Sequence, residues 1–279
     1  MLRRNVWLAS YPKSGNTWMR LALSSLHAGG RMIQLKEMGR GVGELLTKRS
    51  IFDEALNVDS SDLSLDEISR LRPLLYPLLR DRTGQFRIWK THDAWERSAD
   101  GVPLFPAGIT AVALYIVRDP REVAVSLAHH MGCDLDAAIS LMARVDRPSS
   151  AKHKITNQFP PFLSSWSGHV ESWLDQSDLS PLTIRYEDMI ADLAGVLTRV
   201  AALLDLPQEP AAIRGAVEAT RFDRLRDLEG VEGFEEAPRK NARFFRSGLT
   251  GSWRDSLSTA QIARIERDHG AMMARLRYL

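Results

Sequence analysis

Lys13, Lys90, His92 and Arg118 are the side chains whose types and settings could do chemistry on an anion. Lys13 lies in Tyr11-Pro12-Lys13-Ser14-Gly15-Asn16-Thr17-Trp18, directly after a short apolar run at residues 6–9. A strand that passes through a Gly-containing turn into a helix directs several free amide hydrogens at one point. The helix dipole favours negative charge at that point. Lys13 adds a full charge at the mouth. The common nucleotide loop, G-x-x-x-x-G-K-[ST], places lysine after its second glycine; here lysine precedes the only glycine and the loop is shorter. On these residues alone a phosphate cradle and an ordinary strand-to-helix turn with an exposed lysine stand side by side.

Lys90 and His92 close a second strand-like run, residues 86–90, which continues into Thr91-His92-Asp93. In an open parallel sheet, ligands gather beyond the carboxyl ends of strands. Both residues would therefore stand near Lys13 if the two strands share a sheet, although a lone histidine after a strand is more often packed or at the surface than catalytic. Arg118 ends a third run, residues 112–117, and Ser126 follows eight positions later on a helix that starts near Pro120. A guanidinium fork and a hydroxyl so spaced could hold one phosphate. Pairing of Arg118 with Asp119 or Glu122 is the structural alternative.

The positioning elements alternate. Strands are expected at 6–9, 86–90, 112–117 and 182–186. Trp18, Leu21, Ala22, Ser25 and Leu26 mark the first helix, and Met189, Leu193, Val196, Val200 and Leu204 a later one. Residues 31–65 read as a loop with short helices. Ser64 and Glu67 can form a capping box, while Pro73 and Pro77 argue against the later turns of the helix that follows. Residues 134–145, 211–219 and 259–276 have helical spacing, and 230–240 reads as a loop. The fold expected is α/β: one domain over 1–279, with a mostly parallel central sheet flanked by helices, in which the cradle reading would make the turn at Lys13 a P-loop-like phosphate-binding loop.

Composition narrows the classes. The chain has 279 residues, 44% apolar and 26% charged, with a net charge of +2, which gives no argument for nucleic acid. Cys133 is the single cysteine, so no intrachain disulfide is possible. No apolar run approaches the roughly 20 residues of a membrane helix, and a cytoplasmic enzyme is the expectation.

The motifs together resemble the PAPS-dependent soluble (cytosolic-type) sulfotransferases, which use 3′-phosphoadenosine-5′-phosphosulfate. Tyr11 to Trp18 is similar to the family's 5′-phosphosulfate loop, with Asn16 where threonine is usual; both side chains can hydrogen-bond a phosphate. Lys90-Thr91-His92 resembles the segment carrying the catalytic base, and Arg118 with Ser126 the 3′-phosphate site. Trp166-x-x-His169-Val170-x-x-Trp173, Tyr186-Glu187-Asp188-Met189, Thr220-Arg221-Phe222 and Arg246-Ser247-Gly248 followed by Gly251-x-Trp253 continue the resemblance in the family's order. Ser247 replaces the family's lysine and removes one 3′-phosphate charge, for which Lys240 or Arg243 could substitute.

The resemblance implies sulfuryl transfer from PAPS to a hydroxyl, less readily an amine, with 3′,5′-adenosine bisphosphate (PAP) leaving. His92 would be the general base, and Lys13 and Lys90 would stabilise developing charge. Amides of Ser14, Gly15, Asn16, Thr17 and Trp18 would hold the 5′-phosphate, and Arg118, Ser126, Arg246 and Gly248 the 3′-phosphate. Trp18, Tyr186, Thr220, Phe222 and Phe245 would lie at the adenine. No obligatory metal is expected. The acceptor would be a small molecule or natural-product scaffold, walled by 31–65, 132–165 and 230–243. The family's dimer motif falls on 254–263, where Ser258-Thr259 and Ala263 depart from it, so oligomeric state stays open. A P-loop kinase or NTPase is the alternative class, with Asp119 as its one obvious magnesium ligand; an inactive nucleotide-binding protein of the same fold is another.

Overall fold

The computed structural model describes residues 5–38, 42–79, 87–98, 100–146, 156–237, 243–245 and 248–279. Five strands, β1 (Asn5–Ser10), β2 (Val42–Leu45), β3 (Arg87–Thr91), β4 (Thr110–Val117) and β5 (Leu182–Arg185), form one sheet in the order β2-β3-β1-β4-β5. Every neighbouring pair is parallel. The chain runs out to β2, returns at β3 beside β1, then crosses to β4 and β5 on the other side. Ser10, Thr91 and Val117 thus end at one edge, and the residues after each share one crevice.

The helices are α1 (Asn16–His27), α2 (Arg49–Leu56), α3 (Leu65–Leu78), α4 (Pro120–Met131), α5 (Leu135–Met142) and α6 (Trp166–Glu171). They continue with α7 (Tyr186–Leu204), α8 (Pro210–Ala219), α9 (Phe222–Glu232), α10 (Trp253–Ser256) and α11 (Thr259–Arg275). Both sheet faces are covered, so the strands read as unbroken apolar runs. Val6, Leu8, Ile88, Leu114 and Ile116 pack against α1, α7 and α8. Trp7, Ala9, Trp89, Tyr115 and Val117 pack on the opposite face with α3 to α6 and α11. Burying each of the larger of these side chains contributes roughly 1.5–3 kcal/mol. The two indoles on the strands keep partners: Trp7 Nε1 donates to Thr110 Oγ1 at 2.7 Å, and Trp89 Nε1 to Asn5 Oδ1 at 2.9 Å.

Three elements differ from expectation. β2 lies inside the stretch read as loop and short helices; it is short, and Gly43 at φ 77° shifts its register on β3, so it lacks a strand's alternation. α3 runs through Pro73 and Pro77 to Leu78, started by the capping box that Ser64 and Glu67 do form. Proline φ suits a helix, and each ring removes one backbone bond without stopping the turn. α9 covers Phe222 to Glu232 and takes the first residues expected as loop. Phe86, Lys240, Arg246 and Ser247 lie outside the described residues.

Candidate active site

β1 leads into a turn with two left-handed residues, Lys13 at φ 68° and Gly15 at φ 106°. A Cβ on Gly15 would stand 2.6 Å from Cδ2 of Tyr186, so glycine lets the first residue of α7 close on the loop. α1 begins at the next residue, and its first-turn amides point at the turn. Ser14 is buried with an unpartnered hydroxyl. Asn16 corrects one expectation: its side-chain nitrogen donates to Leu8 O at 3.1 Å and Ser10 Oγ at 3.2 Å. That amide ties the loop to β1 and is not free for a phosphate; the backbone of Asn16 is what remains for the cleft.

The sheet register sets Ala9 beside Thr91, which brings His92 to the end of β1. His92 Nδ1 lies 2.8 Å from Ser10 O. A carbonyl oxygen only accepts, so Nδ1 carries the hydrogen and Nε2 keeps the lone pair of the neutral ring. Burial and the nearby Lys90 charge push His92 down to about 3; its opening to the cleft screens part of that effect, and the ring is neutral at ordinary pH. The backbone of His92 is also fixed. His169 Nε2 stands 3.1 Å from His92 O and must be the donor, which leaves His169 Nδ1 to accept from Tyr115 Oη at 2.9 Å. Burial pushes His169 down to about 4, keeping it in that neutral form. The next residue, Asp93, is buried in a two-bond pair with Arg72, at 3.0 and 2.7 Å, and Trp173 Nε1 donates to its carbonyl at 3.0 Å.

Lys13 Nζ sits 4.3 Å from the centroid of the Phe244 ring. Burial, reduced by Glu236 but added to by Lys90 and Arg118, lowers Lys13 to about 8. Arg118 follows β4 and lines the same cleft with Ser126 and Gly248. Its guanidinium lies 4.1 Å over Tyr186, reaches Lys13 O and Leu249 O at 3.3 Å, and pairs with Glu122 at 3.3 Å. The structural alternative for Arg118 is therefore present, yet its Nε stays buried without a partner. Asp119 caps α4 and is engaged by Arg121 at 2.8 Å, which removes it as a free magnesium ligand.

Trp18, Tyr186, Phe222 and Phe245 line the cleft, whose volume is about 730 Å³. Thr220 does not join them: its hydroxyl donates to Ala216 O at 2.7 Å inside α8, and its carbonyl accepts from Trp18 Nε1 at 2.9 Å. It holds Trp18 in place and is not a lining residue. The lining also includes Leu45, Leu141, Gln158 and Leu163, from two of the three expected wall segments, and Glu235 to Ala237 from the third. Leu127, His130 and Met131 of α4 also line the cleft and were not anticipated. Glu236 and Arg20 were missed as well. Glu236 takes hydrogen bonds from Thr17 Oγ1 at 2.8 Å, Arg20 Nη1 at 2.6 Å and Lys90 Nζ at 3.0 Å. The available signal was an arginine on the same α1 face as Thr17, three residues on.

The profile of the Sulfotransferase domain family matches residues 3–277. Amine sulfotransferase of Oryctolagus cuniculus is 20% identical over 94% of this chain and 78% of that one. Sulfotransferase 1E1 of Cavia porcellus is 24% identical over 91% and 77%. Sulfotransferase 2A6 of Rattus norvegicus is 24% identical, over 59% of this chain and 57% of its own length. Among solved structures, mouse sulfotransferase SULT7A1 complexed with PAP has a TM-score of 0.62 at 20% identity, covering 97% of this chain and 84% of that one. Retinol dehydratase in a complex with retinol and PAP gives 0.63 at 21%, covering 98% and 82%.

Proposed function

Because the chain belongs to the sulfotransferase domain family, we propose that it transfers a sulfuryl group from PAPS to the hydroxyl of a small, largely apolar acceptor. The observation that carries this reading is the convergence of Lys13, Lys90 and a tautomer-fixed His92 on one cleft. The cleft fits the donor. The turn at Gly15 presents helix-start amides, Arg118 lines the cleft with its Nε unpartnered, and aromatic side chains line it as well. PAPS would supply the sulfuryl group and leave as PAP.

The chain's residues then divide the work. Amides of Ser14 to Trp18 and the side chain of Lys13 bind the 5′ end; Lys13 and Lys90 meet the negative charge that grows there. Arg118, Ser126 and the Gly248 amide bind the 3′-phosphate, with Arg246 proposed beside them. Trp18, Tyr186, Phe222 and Phe245 flank the base. Nε2 of His92 takes the acceptor's proton while Ser10 O holds the opposite edge of the ring. Burial and Lys90 keep the imidazole neutral before the donor arrives; an added anion beside Lys90 offsets that charge and raises its basicity. Leu45, Leu127, Met131, Leu141 and Leu163 suit an apolar acceptor skeleton. A relative named for amines, and a fold neighbour holding retinol, support a small-molecule acceptor. No metal enters these assignments.

The test is transfer of labelled sulfur from PAPS across an acceptor library, paired with His92→Ala. Turnover should fall by roughly two to four powers of ten in that variant with PAP affinity nearly unchanged. A folded His92→Ala protein with near-normal turnover would remove the general-base role. Tighter binding of ATP than of PAP would move the protein to the kinase class.

A further inference from the structure

Arg20 and Glu236 belong to none of the motifs that identify the cleft; Glu236 lines it, and the buried Arg20 pairs with that carboxylate. Arg20 lies one helical turn beyond Thr17 on α1, so the two side chains share a face. Its side chain is 5% exposed, its Nη1 meets Glu236 Oε1 at 2.6 Å, and its Nε has no partner. Lys90 Nζ reaches the same oxygen at 3.0 Å, and Thr17 Oγ1 donates to Oε2 at 2.8 Å. Three donors from α1 and β3 thus converge on one carboxylate brought in by the turn after α9. That carboxylate lies at the first turn of α1, where the helix end and loop amides favour an anion. Burial opposes ionisation of Glu236, but the charges of Lys90 and Arg20 outweigh it and hold the carboxyl far below its ordinary range. Three cations (Lys13, Arg20 and Lys90) face this single carboxylate, and among the described residues Lys13 has no carboxylate partner within ion-pair distance.

We propose that Arg20 is a third cationic ligand of the sulfuryl donor, and that Glu236 holds its place until the donor's phosphosulfate exchanges with the carboxylate on Thr17, Arg20 and Lys90. The inference rests on the sulfotransferase reading above and adds a binding residue and an exchange step to it. A buried guanidinium cannot be left unpaired cheaply, so Glu236 leaves only as another anion arrives. The carboxylate also competes with the donor, which lowers the donor's apparent affinity by the fraction of molecules in which the cradle is already filled. Product release then has a built-in driving group, since Glu236 returns to the same three donors.

Calorimetry with PAP and melting curves with and without PAP test this on the full chain. Glu236→Gln should bind PAP about tenfold tighter or more, because the charged competitor is gone. Its ligand-free melting temperature should fall, since Arg20 loses its counter-charge, while the shift produced by PAP should grow. Arg20→Gln should bind PAP about tenfold weaker or worse, as a charge-assisted contact is lost. If Arg20→Gln folds poorly, Arg20→Met combined with Glu236→Leu removes the buried pair together. That protein should bind PAP less tightly than Glu236→Gln. Unchanged or weaker PAP binding in Glu236→Gln, or unchanged binding in Arg20→Gln, overturns the exchange and leaves the pair a structural tie between α1 and the turn after α9. A wild-type protein that ignores PAP and binds ATP overturns the sulfotransferase reading as well, so the two failures are distinguishable.

Discussion

Replacing His169 with leucine isolates the part of the site that holds His92 without touching any ligand. The ring of His169 is fully buried and bridges two groups, His92 O at 3.1 Å and Tyr115 Oη at 2.9 Å. Leucine fills similar space but leaves a carbonyl and a hydroxyl unpartnered. Each such group costs about 1–3 kcal/mol, so unfolding stability should fall by about 2–6 kcal/mol, or roughly 5–15 °C in melting temperature. The effect on chemistry comes from looser placement of His92, for which small displacements cost up to about a hundredfold. The expected result is kcat lower by about ten- to a hundredfold, measured with labelled PAPS well below the melting transition, with PAP affinity by calorimetry unchanged. Glutamine can donate to His92 O and accept from Tyr115, so His169→Gln should recover most of kcat. A folded His169→Leu protein with wild-type kcat refutes the reasoning. Equal loss in the leucine and glutamine variants would also refute it, because the hydrogen bond would then not be the agent.

Two further outcomes follow from the same geometry. Arg118→Ala should weaken PAP binding by roughly ten- to a hundredfold, the loss of a charged hydrogen bond, and leave AMP nearly unaffected; equal losses on calorimetry would mean that its ties to Glu122 and Tyr186 matter only for structure. Acid should destabilise the fold before carboxylates titrate: burial sets His169 and His269 each at about 4, against an ordinary value near 6.5. The unfolded chain therefore binds more protons between these values. The stability contribution is complete above about pH 6.5 and falls toward pH 4, by up to about 1.4 kcal/mol per pH unit for each ring. Urea unfolding at pH 7, 6 and 5 measures the slope, which His269→Gln should flatten; no slope above pH 5 would contradict the buried-neutral assignment.

What the sequence made legible has a common physical basis. Lys13, Lys90, His92 and Arg118 each end or follow a strand, and a parallel sheet carries all such positions to one edge. Reading strands from short apolar runs therefore places these residues together without knowledge of packing. Side-chain direction is not set that way. Asn16 and Thr220 both stand at motif positions, yet each satisfies a carbonyl of its own neighbourhood, on β1 and α8, because short polar side chains reach local backbone readily. β2 hid behind Gly43, which breaks the alternation that marks a strand. Glu236 was the least legible of all. It meets Thr17 across 219 residues of sequence, and as one of two adjacent glutamates it reads as solvated surface. Only the packing of α9 and the turn after it against α1 brings it under Arg20 and Lys90. Local motifs thus supply the cations of the site, and the long-range fold decides which anion meets them first.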